Sequence, residues 1–341
     1  MAGSERRMFC TVVKQNSCRK ERMSKPIIVV GSINLDLVAS AENIPRPGET
    51  LIGNTFRTFF GGKGANQAVA VARLGYPSVM VGNVGDDAFG DQLKAGLRQA
   101  NVSIEAVDTV AGASGVAVIV TSSYGQNSIV VVPGANGKLG PEQLARHARL
   151  LQNAGILLAQ LEIPLESVEF LADFAGRHNI PFMLDPAPAL ALPAALLKKV
   201  TWLTPNETET EALLNTRKLQ SSDGLEVATA MLQTGPTNLI IKLGARGCVL
   251  APADKAPELI PAFSIATVDT TAAGDAFNGG FAVRLMRGYS PRDSAIFASA
   301  VAAISVSRHG AQPSMPTESE VLAFLNERKN DGPLAGSSAD Q

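Results

Sequence analysis

The sequence predicts an α/β fold: a doubly wound, mostly parallel sheet flanked by helices, with a small β-ribbon element attached. Three observations predict it. Short runs of Val, Ile and Leu alternate with longer helical stretches over most of the 341 residues, the rhythm of strands joined by crossover helices. Several of these runs are continuously apolar, as strands buried on both faces must be. Two regions, 44–60 and about 112–133, break the rhythm with β-rich segments and turn residues, which sets them apart as a ribbon.

The first strand is Pro26–Gly31, a β-branched run closed by glycine. Ser32-Ile33-Asn34-Leu35-Asp36 follows at its carboxyl end, where open α/β sheets place their ligands. If this segment stays extended, Asn34 and Asp36 project to one face. A short amide beside a carboxylate suits the hydroxyls of a sugar; a polar turn after a strand is the other reading. Residues 44–60 hold Pro45, Pro47, Gly48 and Gly53 ahead of the alternating Thr55–Phe59, an irregular ribbon. Gly61-Gly62-Lys63-Gly64-Ala65-Asn66-Gln67 then enters an alanine-rich helix that ends at Gly75. The glycines permit a tight turn and close backbone approach, with Lys63 and Asn66 at the helix entrance. This is no P-loop, because G-x-x-x-x-G-K-[ST] occurs nowhere in the chain. It is no dinucleotide fingerprint either, because Gln67 stands where the third glycine belongs.

Val79–Val84 reads as a strand and Asp87–Gln99 as a helix. Ser114–Val120 and Ser128–Val132 flank Tyr124-Gly125 as a hairpin, which with residues 44–60 would cover the site. Regular alternation follows. Ile156–Leu161 is a strand with Glu162 at its end, Leu165–His178 a helix, and Pro181–Leu184 a strand with Asp185 at its end. Thr201–Leu203 is a short strand carrying the only tryptophan, Trp202. Asn206 opens the next helix as an N-cap, with Glu209 at the capping-box position. Strands Asn238–Lys242 and Cys248–Ala251 enclose Leu243-Gly244-Ala245-Arg246-Gly247. Helices at 275–287 and 291–306, a loop at Arg308–Ser314 and a helix at Glu318–Lys329 complete the chain. There is no internal repeat and no linker within 26–329.

Composition excludes several functions. With 45% hydrophobic and 18% charged residues and a net charge of −1, the chain suits one large core rather than a nucleic-acid binder. Cys10, Cys18 and Cys248 are odd in number and scattered, without metal spacing or a disulfide framework, which fits a reducing cytoplasm. His147, His178 and His309 are far apart and read as ordinary surface or core histidines. No apolar run reaches the ~18 residues needed to span a bilayer. Residues 1–25 carry seven Lys/Arg against two Glu and no apolar core, so they are no secretory signal; they read as a disordered basic extension, with a basic targeting peptide and translation ahead of a start at Met23 as the other readings. Residues 330–341 read as a disordered tail.

The densest stretch is Asp269-Thr270-Thr271-Ala272-Ala273-Gly274-Asp275-Ala276-Phe277-Asn278-Gly279-Gly280. Small residues let backbone N–H groups approach a ligand, and a helix start leaves several without intrahelical partners. Together they favour an anion. An aspartate there adds negative charge to an anion site unless it does chemistry. An acidic N-cap ahead of a helix packed through small residues accounts for the same sequence, and the stretch alone leaves both open.

The two long motifs, Gly61–Ala68 and Asp269–Gly280, lie about 200 residues apart, with Gly75 and Gly85 at matching spacings. With them the chain resembles the sugar-kinase family of ribokinases, fructokinases and adenosine kinases, from about residue 26 to residue 326. Gly31–Asp36, Leu161-Glu162, Thr204–Glu207 and Gly310–Ser314 narrow the resemblance to its ribokinase branch. The resemblance implies transfer of the ATP γ-phosphoryl group to O5 of D-ribose, giving ribose 5-phosphate and ADP. Asp275 would be the general base. The N–H groups of Ala272, Ala273 and Gly274 would form the anion hole. Asn34, Asp36, Gly62, Lys63, Gly64, Ala65, Asn66 and Glu162 would hold the sugar. Asn206 and Glu209 would order the magnesium-bound phosphates through water. Lys242, Leu243, Gly244, Ala245, Arg246 and Gly247 would line the nucleotide pocket, together with Gly274, Asp275 and Ser299. Ser299 departs from the Asn or His usual near the adenine and is smaller.

The resemblance also implies an activating potassium ion beside the anion hole. Asp269, Thr271, Ser305, Arg308, Gly310 and Ser314 occupy the matching positions, several offering backbone carbonyls, and oxygen ligands suit such a hard cation. The ribbon segments resemble the family's lid, through which a homodimer would form. Three other readings remain: a kinase for 2-deoxyribose or another small sugar, a non-catalytic sugar sensor on the same fold, and a nicotinamide-dependent dehydrogenase. The catalytic stretch argues against the sensor, and the missing third glycine against the dehydrogenase.

Overall fold

The computed structural model describes residues 25–215 and 224–330. The terminal stretches expected to be disordered therefore fall, apart from Lys25 and Asn330, outside the described residues. The strands run in chain order as β1 (Ile27–Val30), β2 (Asn34–Ala41), β3 (Thr55–Gly61), β4 (Ser78–Gly85), β5 (Ser103–Val110), β6 (Gly115–Ser122) and β7 (Asn127–Val132). They continue as β8 (Ile156–Ala159), β9 (Phe182–Leu184), β10 (Trp202–Leu203), β11 (Asn238–Lys242), β12 (Cys248–Ala251) and β13 (Glu258–Ile260).

Nine strands form one sheet in the order β13-β12-β11-β10-β9-β8-β1-β4-β5. The pairings from β11 through β10, β9, β8, β1 and β4 to β5 are parallel, while β12 and β13 add an antiparallel edge. This is the mostly parallel α/β sheet the sequence predicts. Its first strand shows why continuous apolar runs mark it. Ile27 and Val29 enter the core on one face, Ile28 and Val30 the core on the other, and all four are fully buried. At ~1.5–3 kcal/mol for each such side chain, a polar residue at any of them would remove a large share of a domain's net stability.

Helices Lys63–Arg73, Ala273–Met286 and Pro291–Val306 pack on the first face, and Leu165–His178 and Leu225–Leu232 on the second. β5 has the sequence SIEAVDTV, in which acids interrupt small apolar residues. An edge strand tolerates that, and it leaves little strand signal in the sequence. Helix Leu225–Leu232 and strand β13 are likewise absent from the sequence reading; each is short.

A second sheet has the order β3-β2-β6-β7. The expected hairpin is present as β6 and β7, paired antiparallel. The ribbon expected at 44–60 becomes a regular strand only from Thr55 onward. The segment after Gly31 does not stay at the main sheet. It leaves as β2 and becomes a central strand of the second sheet, pairing with β3 and β6. Asn34 and Asp36 therefore share a face at the seam between the two sheets.

Candidate active site

Two helices with glycine-rich starts build the site. Helix Lys63–Arg73 begins after Gly62, whose φ of 86° is in the left-handed region, costly for a residue with a side chain. A Cβ on Gly64 would lie 2.7 Å from the carbonyl carbon of Gly31, so only glycine lets this helix start against the end of β1. Helix Ala273–Met286 crosses it just as closely: a Cβ on Gly279 would lie 2.6 Å from that of Ala70.

The second helix starts at Ala272, itself left-handed with φ 59°, and has no side-chain cap. Neither aspartate of the stretch caps it, which corrects the acidic N-cap reading; the packing through small residues is as expected. Asp275 instead reaches across to the first helix. Its Oδ2 accepts from Asn66 Nδ2 at 3.0 Å and its Oδ1 from Gln67 Nε2 at 3.1 Å. The first-turn N–H groups of an α-helix lack intrahelical acceptors, so positive potential gathers beside this carboxylate.

Electrostatics sharpen the picture. Burial pushes Asp275 up to about 6, against the pull of Lys63 and with a further push from Asp185. Burial, then the charges of Glu162 and Asp275, push Asp36 up to about 7. Burial opposes the charge on Lys63, but Asp275, Asp185, Glu162 and Glu209 outweigh it and lift Lys63 above the ordinary ammonium range. Glu162 is fixed by Ser32 Oγ at 2.5 Å and by the Lys63 amide at 3.1 Å, both donating to its Oε2. Asn34 is buried and accepts from Asn136 Nδ2 at 2.7 Å. Asp36, Glu162, Lys63, Asn66 and Asp275 thus converge: carboxylates and an amide able to hold hydroxyls, beside a buried acid able to take a proton.

Of the other expected residues, Lys242 stands beside the helix start. Asn206 and Glu209 form a complete capping box, each side chain bonded to the other's backbone N–H. Burial pushes Glu209 up, against the pull of Lys242. Lys242 ends β11, and a Cβ on Gly274 would sit 3.3 Å from its Nζ. Leu243–Gly247 turns tightly, with the Leu243 amide donating to the Gly247 carbonyl at 2.8 Å. Arg246 pairs with Glu207. Ser299 is buried and hydrogen-bonded to the Cys248 thiol, which burial pushes up to about 12.

A second cluster lies at Asp269. Val268 and Asp269 donate their amides to the Val306 carbonyl at 2.8 and 3.1 Å, which holds this stretch beside Ser305. Asp269 Oδ1 accepts from the Thr271 amide and Oδ2 from the Gly310 amide, each at 2.9 Å. Burial works against its charge, but the Thr271 hydroxyl and these amides hold Asp269 below the usual carboxylate range. Ser305 and Ser314 are buried and share a hydrogen bond at 2.7 Å. Arg308 pairs with Glu320 at 2.7 Å, so it could serve this cluster only through its backbone. The donor set is oxygen alone with one ionised carboxylate, and it fits a hard monovalent cation. Among the described residues no three His, Cys, Asp or Glu side chains form a metal cage. Magnesium brought in by phosphates and held through water needs none.

Three side chains at the centre had no role in the sequence reading: Gln67, Asp185 and Gln160. Gln67 Nε2 also donates to Asp185 Oδ2 at 3.1 Å, and Gln160 Nε2 donates to Gln67 Oε1 at 2.8 Å. Asp185 accepts from Lys242 Nζ at 2.9 Å. The one available signal was position: Asp185 and Gln160 both stand at the carboxyl ends of parallel strands.

The sequence pattern of the pfkB family carbohydrate kinases matches residues 24–318. A ribokinase of Bacillus subtilis is 40% identical over 301 residues, covering 88% of this chain and 99% of its own. The crystal structure of a Thermotoga maritima ribokinase superposes with a TM-score of 0.82 at 38% identity, over 88% of this chain and 99% of that one. An Arabidopsis thaliana ribokinase complexed with ribose and ATP gives 0.84 at 36% identity, over 89% and 99%.

Proposed function

This chain belongs to the pfkB family of carbohydrate kinases, and we propose that it transfers the γ-phosphoryl group of ATP to O5 of D-ribose. One observation carries the reading. A buried carboxylate, Asp275, stands at an uncapped helix start and is gripped by the same glycine-led helix that presents Lys63 and Asn66. Acceptor groups, base and anion hole meet at one atom cluster. Ribokinases that match almost end to end, one of them bound to ribose and ATP, support the substrate pair.

In the reaction, Asn34, Asp36, Lys63, Asn66 and Glu162 hold the sugar hydroxyls. Asp275 accepts the O5 proton as O5 attacks; a carboxylate pushed up to about 6 is ionised at neutral pH yet basic enough for this work. The amides of Ala272, Ala273 and Gly274 would meet the charge on the phosphoryl oxygens, that of Ala273 by giving up its 3.2 Å bond to the Thr270 carbonyl. Phosphoryl transfer asks mainly for such positioning and charge stabilisation.

Asn206 and Glu209 would order the phosphates with their magnesium, and Leu243–Gly247 with Ser299 would line the nucleotide site. Potassium at Asp269, Thr271, Ser305, Gly310 and Ser314 would add positive charge beside the anion hole. The second sheet would act as a lid over the sugar and as the contact of a homodimer. The chemistry suits the cytoplasm, and no helix among the described residues is long and apolar enough to cross a membrane.

The test is ADP release with ribose, 2-deoxyribose, fructose and adenosine, each with potassium or sodium. The expected result is the highest kcat/KM on ribose, raised by potassium. A higher value on adenosine or fructose would overturn the substrate assignment, and equal rates in the two salts would overturn the potassium site.

A further inference from the structure

The centre of the site holds five carboxylates: Asp36, Glu162, Asp185, Glu209 and Asp275. Lys63 is on the sugar side, its backbone amide bonded to Glu162. A phosphoryl group arriving at the helix start would meet strong repulsion unless a second cation faced it. Lys242 is in that place. It is bonded to Asp185 at 2.9 Å, and their side chains are 13% and 3% exposed. Its Nζ lies where a side chain at position 274 would touch it, so the glycine leaves open the gap between the ammonium and the helix's amides. The backbone fixes the base of the side chain. The Lys242 amide donates to the Pro205 carbonyl at 2.8 Å, and Lys242 pairs with Cys248 across the β11–β12 ladder.

A single glutamine ties this cation to the base. The two hydrogens of Gln67 Nε2 go to Asp185 Oδ2 and Asp275 Oδ1, each at 3.1 Å, while its Oε1 accepts from Gln160. The amide cannot rotate without losing all three bonds. Lys242, Asp185, Gln67 and Asp275 form one connected line through the site. It is drawn from segments 57 to 208 residues apart in sequence.

We propose that Lys242 is a catalytic residue whose ammonium bonds a non-bridging oxygen of the phosphoryl group in flight, with Asp185 and Gln67 as positioning residues that hold it at a fixed distance from Asp275. The inference rests on the kinase reading above. In the step, the bond from O5 to phosphorus forms as the bond from phosphorus to the bridging oxygen breaks. That electron pair stays with ADP, and the O5 proton passes to Asp275. Lys242 gives up no proton: it keeps its bond to Asp185 and turns another of its three N–H donors to the phosphoryl oxygen.

The test compares kcat and KM for Lys242→Met, Lys242→Arg, Asp185→Asn and the double variant Lys242→Met/Asp185→Asn. Lys242→Met alone strands a buried carboxylate and could fail to fold; the double variant removes both charges. Lys242→Met and the double variant should lose about 10²–10³ in kcat, with the KM for sugar little changed, as for a lost oxyanion donor. Lys242→Arg recovers part of that rate. A double variant with near-normal kcat would overturn the proposal, since Lys242 would then only neutralise Asp185. A loss in Asp185→Asn as large as in Lys242→Met, with a raised magnesium requirement, would also overturn it, because Asp185 would then be the group acting on the phosphates. Turnover of ribose by the unaltered enzyme tests the substrate reading. The ratios among variants are measured on whichever sugar that enzyme uses, so the two ideas stand or fall separately.

Discussion

Two acids in this site carry opposite demands. As the proposed base, Asp275 must be buried to exclude water from the transfer, yet ionised to accept a proton. Asn66 and Gln67 supply the hydrogen bonds that keep it usable, while burial holds it up at about 6. Asp36 is pushed up to about 7 by burial and by the charges of Glu162 and Asp275. On the proposed mechanism both act in the ionised form, so kcat/KM for ribose should rise with pH through the range from about 6 to 7 and level off above it. At one pH unit below its pKa only about a tenth of a carboxyl group is ionised, so activity at pH 5 should fall at least tenfold. Asp36→Asn should remove the upper inflection and leave the lower. A profile flat from pH 5 to 8 would mean that neither acid titrates as the site's geometry requires.

Among elements, the two crossing helices matter most. A methyl on Gly279 would lie 2.6 Å from that of Ala70 and 3.3 Å from the Gln67 carbonyl oxygen. Alanine gains roughly 1 kcal/mol over glycine in a helix interior. Overpacking at a contact this close costs about 1–3 kcal/mol, and the clash wins because Ala70 has no flexible end to move away. Gly279→Ala should therefore lower stability in denaturant unfolding. It should also lower kcat, because the helix that carries Asp275 must shift from Asn66. The capping box of helix Glu207–Leu214 offers a separate probe. Asn206→Ala should cost about 0.5–2 kcal/mol and raise the KM for MgATP more than that for ribose.

Both glycine motifs were legible in the sequence because glycine at close backbone approach leaves a local signature. So were the buried strands, whose runs such as Ile27–Val30 face two cores at once. Gln67, Gln160 and Asp185 were not legible as a network. Their partners lie 57 to 208 residues away in sequence and meet only when β8 and β9 lie side by side and the two helices cross. β5 escaped because an exposed edge tolerates the acids Glu105 and Asp108. The course of β2 was hidden for another reason: nothing local says that a chain leaving β1 will join a different sheet.

At the scale of the molecule, the second sheet presents an open edge. β7 is one of its two edge strands, every residue of it is exposed, and Ile129, Val130, Val131 and Val132 form an apolar run along it. An edge of this kind is a template for pairing with another chain, which supports the proposed homodimer. Val130→Asp should shift sedimentation from dimer toward monomer. A wild-type chain that sediments as a monomer at tens of micromolar would remove the dimer from the account.

On the proposed mechanism the sugar hydroxyl and the anion hole meet at one carboxylate, Asp275, and that carboxylate gives the most direct test. Asp275→Asn keeps the shape and the burial but cannot take the proton from O5. With ribose and MgATP, kcat measured by ADP release should fall by roughly 10²–10⁴, while the KM for ribose stays close to that of the unaltered enzyme. A variant with near-normal kcat would contradict the central claim that Asp275 is the base of the transfer.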